Sequence, residues 1–219
     1  MRAIPIVISL SLLAASPLCA QTEPAYITGA GGFAATPDAT SGDVVGEVGV
    51  RVAPRLLVFG NIGRFHNLES SDLAPTVAST TALAAGTGLD VTATATTPAW
   101  YSTGGLRYEV APKSAFTPYV LGGVGFARIT PTAHFTYASG TLPDGSTPSL
   151  GADITTALTT AGDFTQPPAS TAMMYTLGGG VAVPVARHWN VDAGYRYSRV
   201  ASDTPVNVQG ATFGVGYRF

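Results

Sequence analysis

The chain closes on Phe213-Gly214-Val215-Gly216-Tyr217-Arg218-Phe219, and no other stretch restricts the fold as much. Phe213, Val215, Tyr217 and Phe219 occupy alternate positions, with Gly214, Gly216 and Arg218 between them. Successive side chains of a strand point to opposite faces. One face of this strand is therefore wholly apolar and aromatic, and the other is small or charged. An apolar edge that runs to the last residue suits a strand facing lipid. It suits the loose terminus of a soluble domain poorly.

The other end of the chain predicts export. Met1-Arg2 supplies a positive charge, Ile4 to Ala15 is an apolar run too short to span a bilayer, and Ser16-Pro17-Leu18-Cys19-Ala20 follows. This is the pattern of a signal peptide over residues 1–20, cleaved after Ala20, with residues 21–219 as the mature domain. Leu18 stands where a lipoprotein signal needs a small residue before its cysteine, which argues against lipidation of Cys19. Cys19 is the one cysteine of the sequence. The mature chain is thus expected to hold neither a disulfide nor a Cys-ligated metal.

Of 219 residues 26 are Gly and 16 Pro, 11% are charged, and the formal net charge is −2. An average domain carries about 25% charged residues. No basic surplus exists to hold a phosphate backbone, so no nucleic-acid partner is expected. After the signal no apolar run reaches the roughly 18 residues of a membrane helix. A secreted soluble β protein and a membrane β-barrel remain.

Turn signals separate eight strand-like segments, near 24–34, 43–53, 55–66, 98–110, 116–129, 171–185, 189–200 and 207–219. Five alternate cleanly. In the second, Val44, Val48, Val50 and Val52 oppose Glu47, Gly49 and Arg51. In the fourth, Trp100, Leu106, Tyr108 and Val110 oppose Thr103, Gly105, Arg107 and Glu109. The sixth sets Tyr175, Leu177, Val181 and Val183 against Thr176, Gly178 and Gly180, and the seventh sets Val191, Ala193, Tyr195 and Tyr197 against Asp192, Gly194 and Arg196. The terminal strand is the fifth of them. In the first, third and fifth segments both faces are mostly Gly and apolar, so inward and outward sides stay open.

The connections alternate in length. Short turns occur at Pro54, at Ala111 to Ala115 and at Ala186-Arg187-His188, and long loops near 67–97 and 130–170. Short turns on one side and long loops on the other is the layout of a membrane barrel. An even strand count closes it without an edge, which lipid demands. The long loops are rich in Thr, Ala, Ser and Pro. No Lys or Arg lies between Arg64 and Arg107 or between Arg128 and Arg187, and the loop charges are Glu69, Asp72, Asp90, Asp144, Asp153 and Asp163. Their composition predicts disorder over part of their length, and long loops are also where function concentrates.

A soluble sandwich alternates too, but with a charged outer face. Here the less apolar face is mostly Gly, Ala and Thr, which suits the inside of a narrow eight-stranded barrel. Trp100, Tyr108, Tyr119, Trp189, Tyr197 and Tyr217 fall near predicted strand ends, as interfacial aromatic girdles do. The expected fold is all-β, an eight-stranded antiparallel up-and-down transmembrane barrel.

Three motifs carry a family resemblance: Phe116-Thr117-Pro118-Tyr119-Val120-Leu121-Gly122-Gly123-Val124-Gly125-Phe126, Gly194-Tyr195-Arg196-Tyr197, and the terminal Phe213 to Phe219. The chain resembles the outer-membrane β-barrel family that includes the OmpA transmembrane domain, the opacity proteins and the OmpW-like proteins. The resemblance implies the outer membrane of a Gram-negative cell, contact with its lipid and lipopolysaccharide, and insertion by the barrel-assembly machinery. Phe213, Val215, Tyr217 and Phe219 resemble the family's C-terminal insertion signal. The sequence stops at Phe219, without the peptidoglycan-binding domain that follows the barrel in full OmpA, so wall anchoring is not implied.

Strand directions place Arg51, Arg107, Glu109, Asp192 and Arg218 in the periplasmic half of the lumen, with Glu47 and Arg196 nearer its middle. Charges in a narrow interior need partners, so these seven are candidates for an ion-pair plug, or alternatively for the lining of a narrow pore. Enzymatic features are few. His66, His134 and His188 are scattered, no lipid-A deacylase His-x-Ser pattern and no Gly-x-Ser-x-Gly elbow occurs, and no ligand spacing suggests a metal. Gly29-Ala30-Gly31-Gly32-Phe33-Ala34 matches a dinucleotide fingerprint in form alone, because turn signals follow where a helix is required. The expected protein has neither catalytic residues nor a cofactor. It acts through its loops on surfaces or host molecules, with a small-solute channel and a lipid-modifying enzyme as alternatives.

Overall fold

Lipid on one side and a crowded lumen on the other give every barrel strand an outer and an inner face, and the computed structural model of the chain is built on that alternation. It describes residues 24–37, 39–68, 73–110, 115–202 and 204–219. The expected signal peptide, with Cys19, lies outside these residues, as do Glu69, Asp72 and Lys113. The strands and helices are β1 (Ala25–Ala35), β2 (Thr40–Ala53), β3 (Leu56–Phe65), α1 (Leu73–Gly86), β4 (Asp90–Thr96), β5 (Ala99–Glu109), β6 (Thr117–Ile129), β7 (Thr132–Ser139), α2 (Thr155–Ala161), β8 (Ser170–Pro184), β9 (Trp189–Ala201) and β10 (Val206–Arg218). Eight of the strands form a closed antiparallel barrel in the order β1-β10-β9-β8-β6-β5-β3-β2. Each pairs with the barrel strand next to it in sequence, and β1 closes on β10 with Tyr26 opposite Arg218. The Phe219 amide donates to the Ala25 carbonyl at 3.0 Å, so both ends of the described barrel lie on the short-turn side.

The barrel is apolar outside. Val44, Val48, Val50, Leu106, Val120, Val124, Phe126, Leu177 and Phe213 are all more than half exposed to the surroundings of the chain. Soluble monomers rarely expose contiguous apolar patches beyond a few hundred Å², and this one encircles the molecule. The lumen decides the faces that the sequence leaves open. Tyr26, Thr28 and Ala34 of β1, Leu57, Phe59, Asn61 and Phe65 of β3, and Thr117, Tyr119 and Leu121 of β6 point inwards and are buried.

Glycine has two separate uses here. The five positive-φ glycines of the described residues, Gly88, Gly140, Gly145, Gly151 and Gly162, all lie in the long connections. Gly162 ends α2 in the left-handed conformation, its neighbourhood satisfying the carbonyls of Leu158 and Thr159. Many of the barrel glycines, Gly32, Gly105 and Gly125 among them, serve close approach of neighbouring strands instead, whereas Gly29, Gly42 and Gly60 face open space. A Cβ on the inward-facing Gly105 would stand 2.1 Å from the Gly122 carbonyl oxygen, a backbone atom that can move only with its strand. Gly105→Ala is expected to destabilise the barrel by about 1–3 kcal/mol, the usual cost of overpacking. A urea titration followed by heat-modifiable gel mobility measures it, and an unchanged midpoint would contradict the close-packing account.

The two long connections depart from expectation. Composition predicts disorder over part of them, but their described residues are folded. β4 and β7 form a second, two-stranded sheet, and α1 and α2 pack against it around Leu73, Leu89, Phe135, Ile154, Leu158 and Phe164. The physical reason is that Thr and Ala repeats lower the charge without removing the apolar residues. Val91, Ala93 and Ala95 alternate with Thr92, Thr94 and Thr96, and Ala133, Phe135 and Tyr137 with His134 and Thr136. Neither loop can bury this face alone, and together they do. The Thr80 hydroxyl donates to the Asp163 carbonyl at 3.2 Å, binding the first connection to the second.

Candidate functional site

Two assemblies gather polar groups: the lumen and the module above the barrel. In the lumen, Glu47 on β2 is the centre. Its Oε1 accepts from the Tyr26 hydroxyl at 2.7 Å and from Arg107 Nη1 at 3.4 Å, and its Oε2 accepts from Arg196 Nη2 at 2.6 Å. Arg107 also reaches Asp192 Oδ2 at 3.2 Å, and Asp192 Oδ1 accepts from the Tyr119 hydroxyl at 2.6 Å. The Arg107 guanidinium lies 3.6 Å from the Tyr119 ring centroid and 4.9 Å from that of Tyr26. Each ring offers its negative face to a desolvated cation.

A second group sits nearer the turns. Glu109 accepts from Arg51 Nη2 at 2.7 Å and from Arg218 Nη2 at 3.4 Å. All seven predicted lumenal charges thus meet within the barrel, in two groups. Glu47, Arg107 and Glu109 are 3%, 3% and 1% exposed. Charges this deep are tolerable only when their remaining hydrogen-bonding capacity is filled, and the tyrosines fill much of it.

Tyr119 requires a correction. Its place near a strand end predicts an interfacial girdle, but β6 turns it inwards with Thr117 and Leu121, and it is 3% exposed. The error follows from β6 having two faces of nearly equal apolarity. Trp100, Tyr108, Trp189 and Tyr197 do point outwards. Tyr217 is half-buried and joins an outer cluster at the short-turn end, with ring centroids 5.5 Å from His188, 5.2 Å from Trp189 and 5.2 Å from Phe219. Phe213, Val215 and Phe219 are exposed on the outer face.

Sequence reasoning missed three lumenal groups: Tyr26, Asp43 and Tyr101. The Tyr101 hydroxyl donates to Asp43 Oδ1 at 3.0 Å. For Tyr26 the missing signal was the inward face of β1, where Tyr26 and Thr28 are diluted by Gly and Ala, whereas Asp43 and Tyr101 lie on the inward faces of β2 and β5, which the sequence does show. A void of about 10 Å³ remains among Asp43, Asn61, Tyr101 and Arg196, room for about one water molecule. Towards the loops, Phe65, Leu68, Ile129, Met174 and Val208 pack across the mouth.

The module presents different chemistry. The inner face of its β4–β7 ribbon is Val91, Phe135 and Tyr137, buried in the module core. The opposite face carries the cross-strand pairs Thr92–Thr136, Thr94–His134 and Thr96–Thr132, with Thr92, Thr94 and His134 exposed. His134 Nδ1 lies 3.1 Å from Asp153 Oδ2, a His–acid pair that no spacing in the sequence announces. Both side chains are 59% exposed. The Thr155 hydroxyl and amide, then His134, hold the Asp153 carboxyl below its usual range. The pair clamps the start of α2 onto β7, beside the bond from the Ile154 amide to the Phe135 carbonyl at 2.9 Å. Among the described residues no group of three His, Cys, Asp or Glu could hold a metal ion.

Comparison with known proteins agrees with this geometry. A family model described as "Outer membrane protein beta-barrel domain" matches residues 6–219. The structure of Neisserial surface protein A is similar at 15% identity over 89% of this chain and 96% of that one, with a TM-score of 0.53. A major outer membrane protein from Thermus thermophilus is similar at 11% identity over 89% and 99%, with a TM-score of 0.52. At such identities the likeness is one of fold. The search of curated proteins finds no match.

Proposed function

The chain belongs to the outer membrane protein β-barrel family, and from that premise we propose that the barrel is a closed, non-enzymatic mount whose exterior module makes contact with surfaces, host molecules or neighbouring outer-membrane components. One observation carries this reading: the two long connections fold into a single module with a core of its own. A core costs backbone entropy to assemble, and the barrel closes without it. What the module offers is a ribbon face of threonines and one histidine, with Asp153 beside that histidine and without a lysine or arginine between 65 and 106 or between 129 and 186.

Replacing 67–97 and 130–170 by short turns tests the proposal. Loss of cell or ligand adhesion is expected, while the barrel keeps its heat-modifiable mobility. Unchanged adhesion would remove the module as the active part. The filled lumen supports a mount over a channel, with Glu47 and Arg107 across its waist and Phe65 and Met174 across its mouth. Planar-bilayer recordings of the folded chain are expected to lack long-lived open states, and frequent long openings would overturn the plug.

Export belongs to the same reading. We assign residues 1–20 to a cleaved signal and Phe213, Val215, Tyr217 and Phe219 to recognition by the assembly machinery. A mature chain whose mass begins at Gln21 is the expected product. Support for the non-enzymatic part comes from the openness of the His134–Asp153 pair, since catalytic pairs work in enclosed, water-poor sites.

A further inference from the structure

The threonine ribbon is one surface of the module, and a groove between α1 and α2 is another. Ala84, Leu89, Leu142 and Leu158, all buried members of the module core, line it from below. Leu83, in the last turn of α1, stands at its lip and is 61% exposed. The groove encloses about 450 Å³. Pro143 lines it and also lines a second hollow of about 360 Å³, which runs along Ala157 and Ala161 of α2. Each hollow falls in the usual size range of a ligand cleft, roughly 300–1,000 Å³.

Each hollow holds one carboxylate. Asp163 lines the first and Asp144 the second, and both residues are exposed. The Asp163 backbone is tied at both ends: its amide donates to the Leu158 carbonyl at 3.0 Å, and its carbonyl accepts from the Thr80 hydroxyl. Among the described residues its carboxylate meets no donor. Asp144 lies in a closed turn, where the Leu142 amide donates to the Ser146 carbonyl at 2.9 Å. The Ser146 hydroxyl and amide donate to Asp144 Oδ1 at 2.7 and 2.9 Å, and they hold its carboxyl below the usual range. The rim is thus ordered before anything binds, which lowers the entropy cost of docking.

The charge of this groove has no answer within the module. No lysine or arginine lies between 65 and 106 or between 129 and 186, and the described arginines belong to the lumen, the short turns or the barrel wall. The module of a second copy would bring the same carboxylates against these. An occupant from outside the chain must supply cations for Asp144 and Asp163 and an apolar group for the leucines between them. A phosphate or sulfate ester is repelled. A metal ion leaves the leucines unused, and a neutral glycan leaves the charge unanswered. A polypeptide segment meets both demands, with a bulky side chain as the anchor and lysine or arginine setting its position.

We propose that the groove between α1 and α2 docks a segment of an extracellular polypeptide that carries an apolar anchor beside lysine or arginine. The anchor seats against Leu83, Leu89 and Leu158, and the cations meet Asp144 and Asp163. This partner class rests on the module being the part of the protein that makes outside contacts.

Fluorescence anisotropy on the folded full chain in phosphatidylcholine nanodiscs tests it, with empty nanodiscs as the reference. The probes are three labelled hexapeptides: Gly-Lys-Leu-Phe-Lys-Gly, Gly-Glu-Leu-Phe-Glu-Gly and Gly-Lys-Ser-Ser-Lys-Gly. The first is expected to bind roughly tenfold tighter than the second, at about threefold for each exposed ion pair. It is expected to bind at least about tenfold tighter than the third, which lacks the anchor. D144N/D163N is expected to remove the preference for lysine over glutamate, and L83S to weaken both Leu-Phe peptides several-fold. L150S, which alters an exposed leucine outside the groove, is expected to keep the wild-type pattern. Resistance of each variant to added protease reports folding of the module. Equal binding of the lysine and glutamate peptides, a preference that survives D144N/D163N, unchanged binding in L83S, or equal loss in L150S would overturn the site. Dimerisation of the chain that the first peptide reverses would assign the groove to a second copy and overturn the outside partner. Nanodiscs remove orientation from the result, so failure here is distinct from failure of the surface reading, which adhesion after deletion of the module reports.

Discussion

Glu47→Ala is expected to lower the stability of the folded barrel by about 3–5 kcal/mol, the cost of stripping one partner from a buried ion pair. Glu47 is 3% exposed and accepts from three donors at once: Tyr26, Arg107 and Arg196. Its removal leaves Arg196 without its carboxylate and Arg107 with Asp192 as its sole one. The Arg107 Nε is already buried without an acceptor, so the guanidinium has little reserve. Glu47→Gln separates charge from shape, because it keeps volume and an acceptor while removing the anion. An intermediate loss is expected for it. Urea unfolding in detergent micelles, read by tryptophan fluorescence and gel mobility, gives both values. A midpoint for Glu47→Ala within error of the wild type would show that the lumen rehydrates and that the network is dispensable.

Phe135→Ala is expected to unfold the module and spare the barrel. The ring is fully buried and meets Phe164 edge-to-face with centroids 5.0 Å apart. Its backbone is also a junction, donating to the Thr155 hydroxyl at 2.9 Å and accepting from the Ile154 amide. Truncating a buried Phe costs about 3–5 kcal/mol, which rivals the whole stability of a small core. Opening of the module should rise roughly a hundredfold or more, and cleavage by added protease tracks that open population. The expected result is rapid proteolysis within 130–170 with the heat-modifiable barrel intact. Unchanged resistance would mean that the module owes its order to the barrel rim, and simultaneous loss of the barrel would mean that the two are one cooperative unit.

How far the sequence can be read depends on contrast between faces. β2, β5, β8, β9 and β10 set apolar residues against Gly, Thr or charge, so their outward sides are evident. β1, β3 and β6 do not, because their lumenal faces carry Ala34, Phe59, Phe65 and Leu121. The misplacement of Tyr119 has that origin. The ribbon of the module escapes notice for a related reason: Thr against Ala is a shallow alternation, and β4 and β7 are separated in sequence by β5 and β6. The seven lumenal charges are legible as a set, being charges on faces opposite lipid-type residues. Their partners are not. Glu47 meets Arg107 across 60 residues and Arg196 across 149.

The division has one physical cause. Lipid acts on each strand separately, residue by residue with a period of two, so a single strand already records which side it turns to the membrane. The sequence alone therefore determined the class, the strand count of the barrel, its closure and the outer face of the five high-contrast strands. Pairing across the lumen depends on the register with which all eight strands close, and so does the meeting of two loops rooted on different strands. Only the tertiary structure could decide that Glu47 lies among Tyr26, Arg107 and Arg196, that Tyr119 faces Asp192, and that Thr94 and His134 share one exposed face.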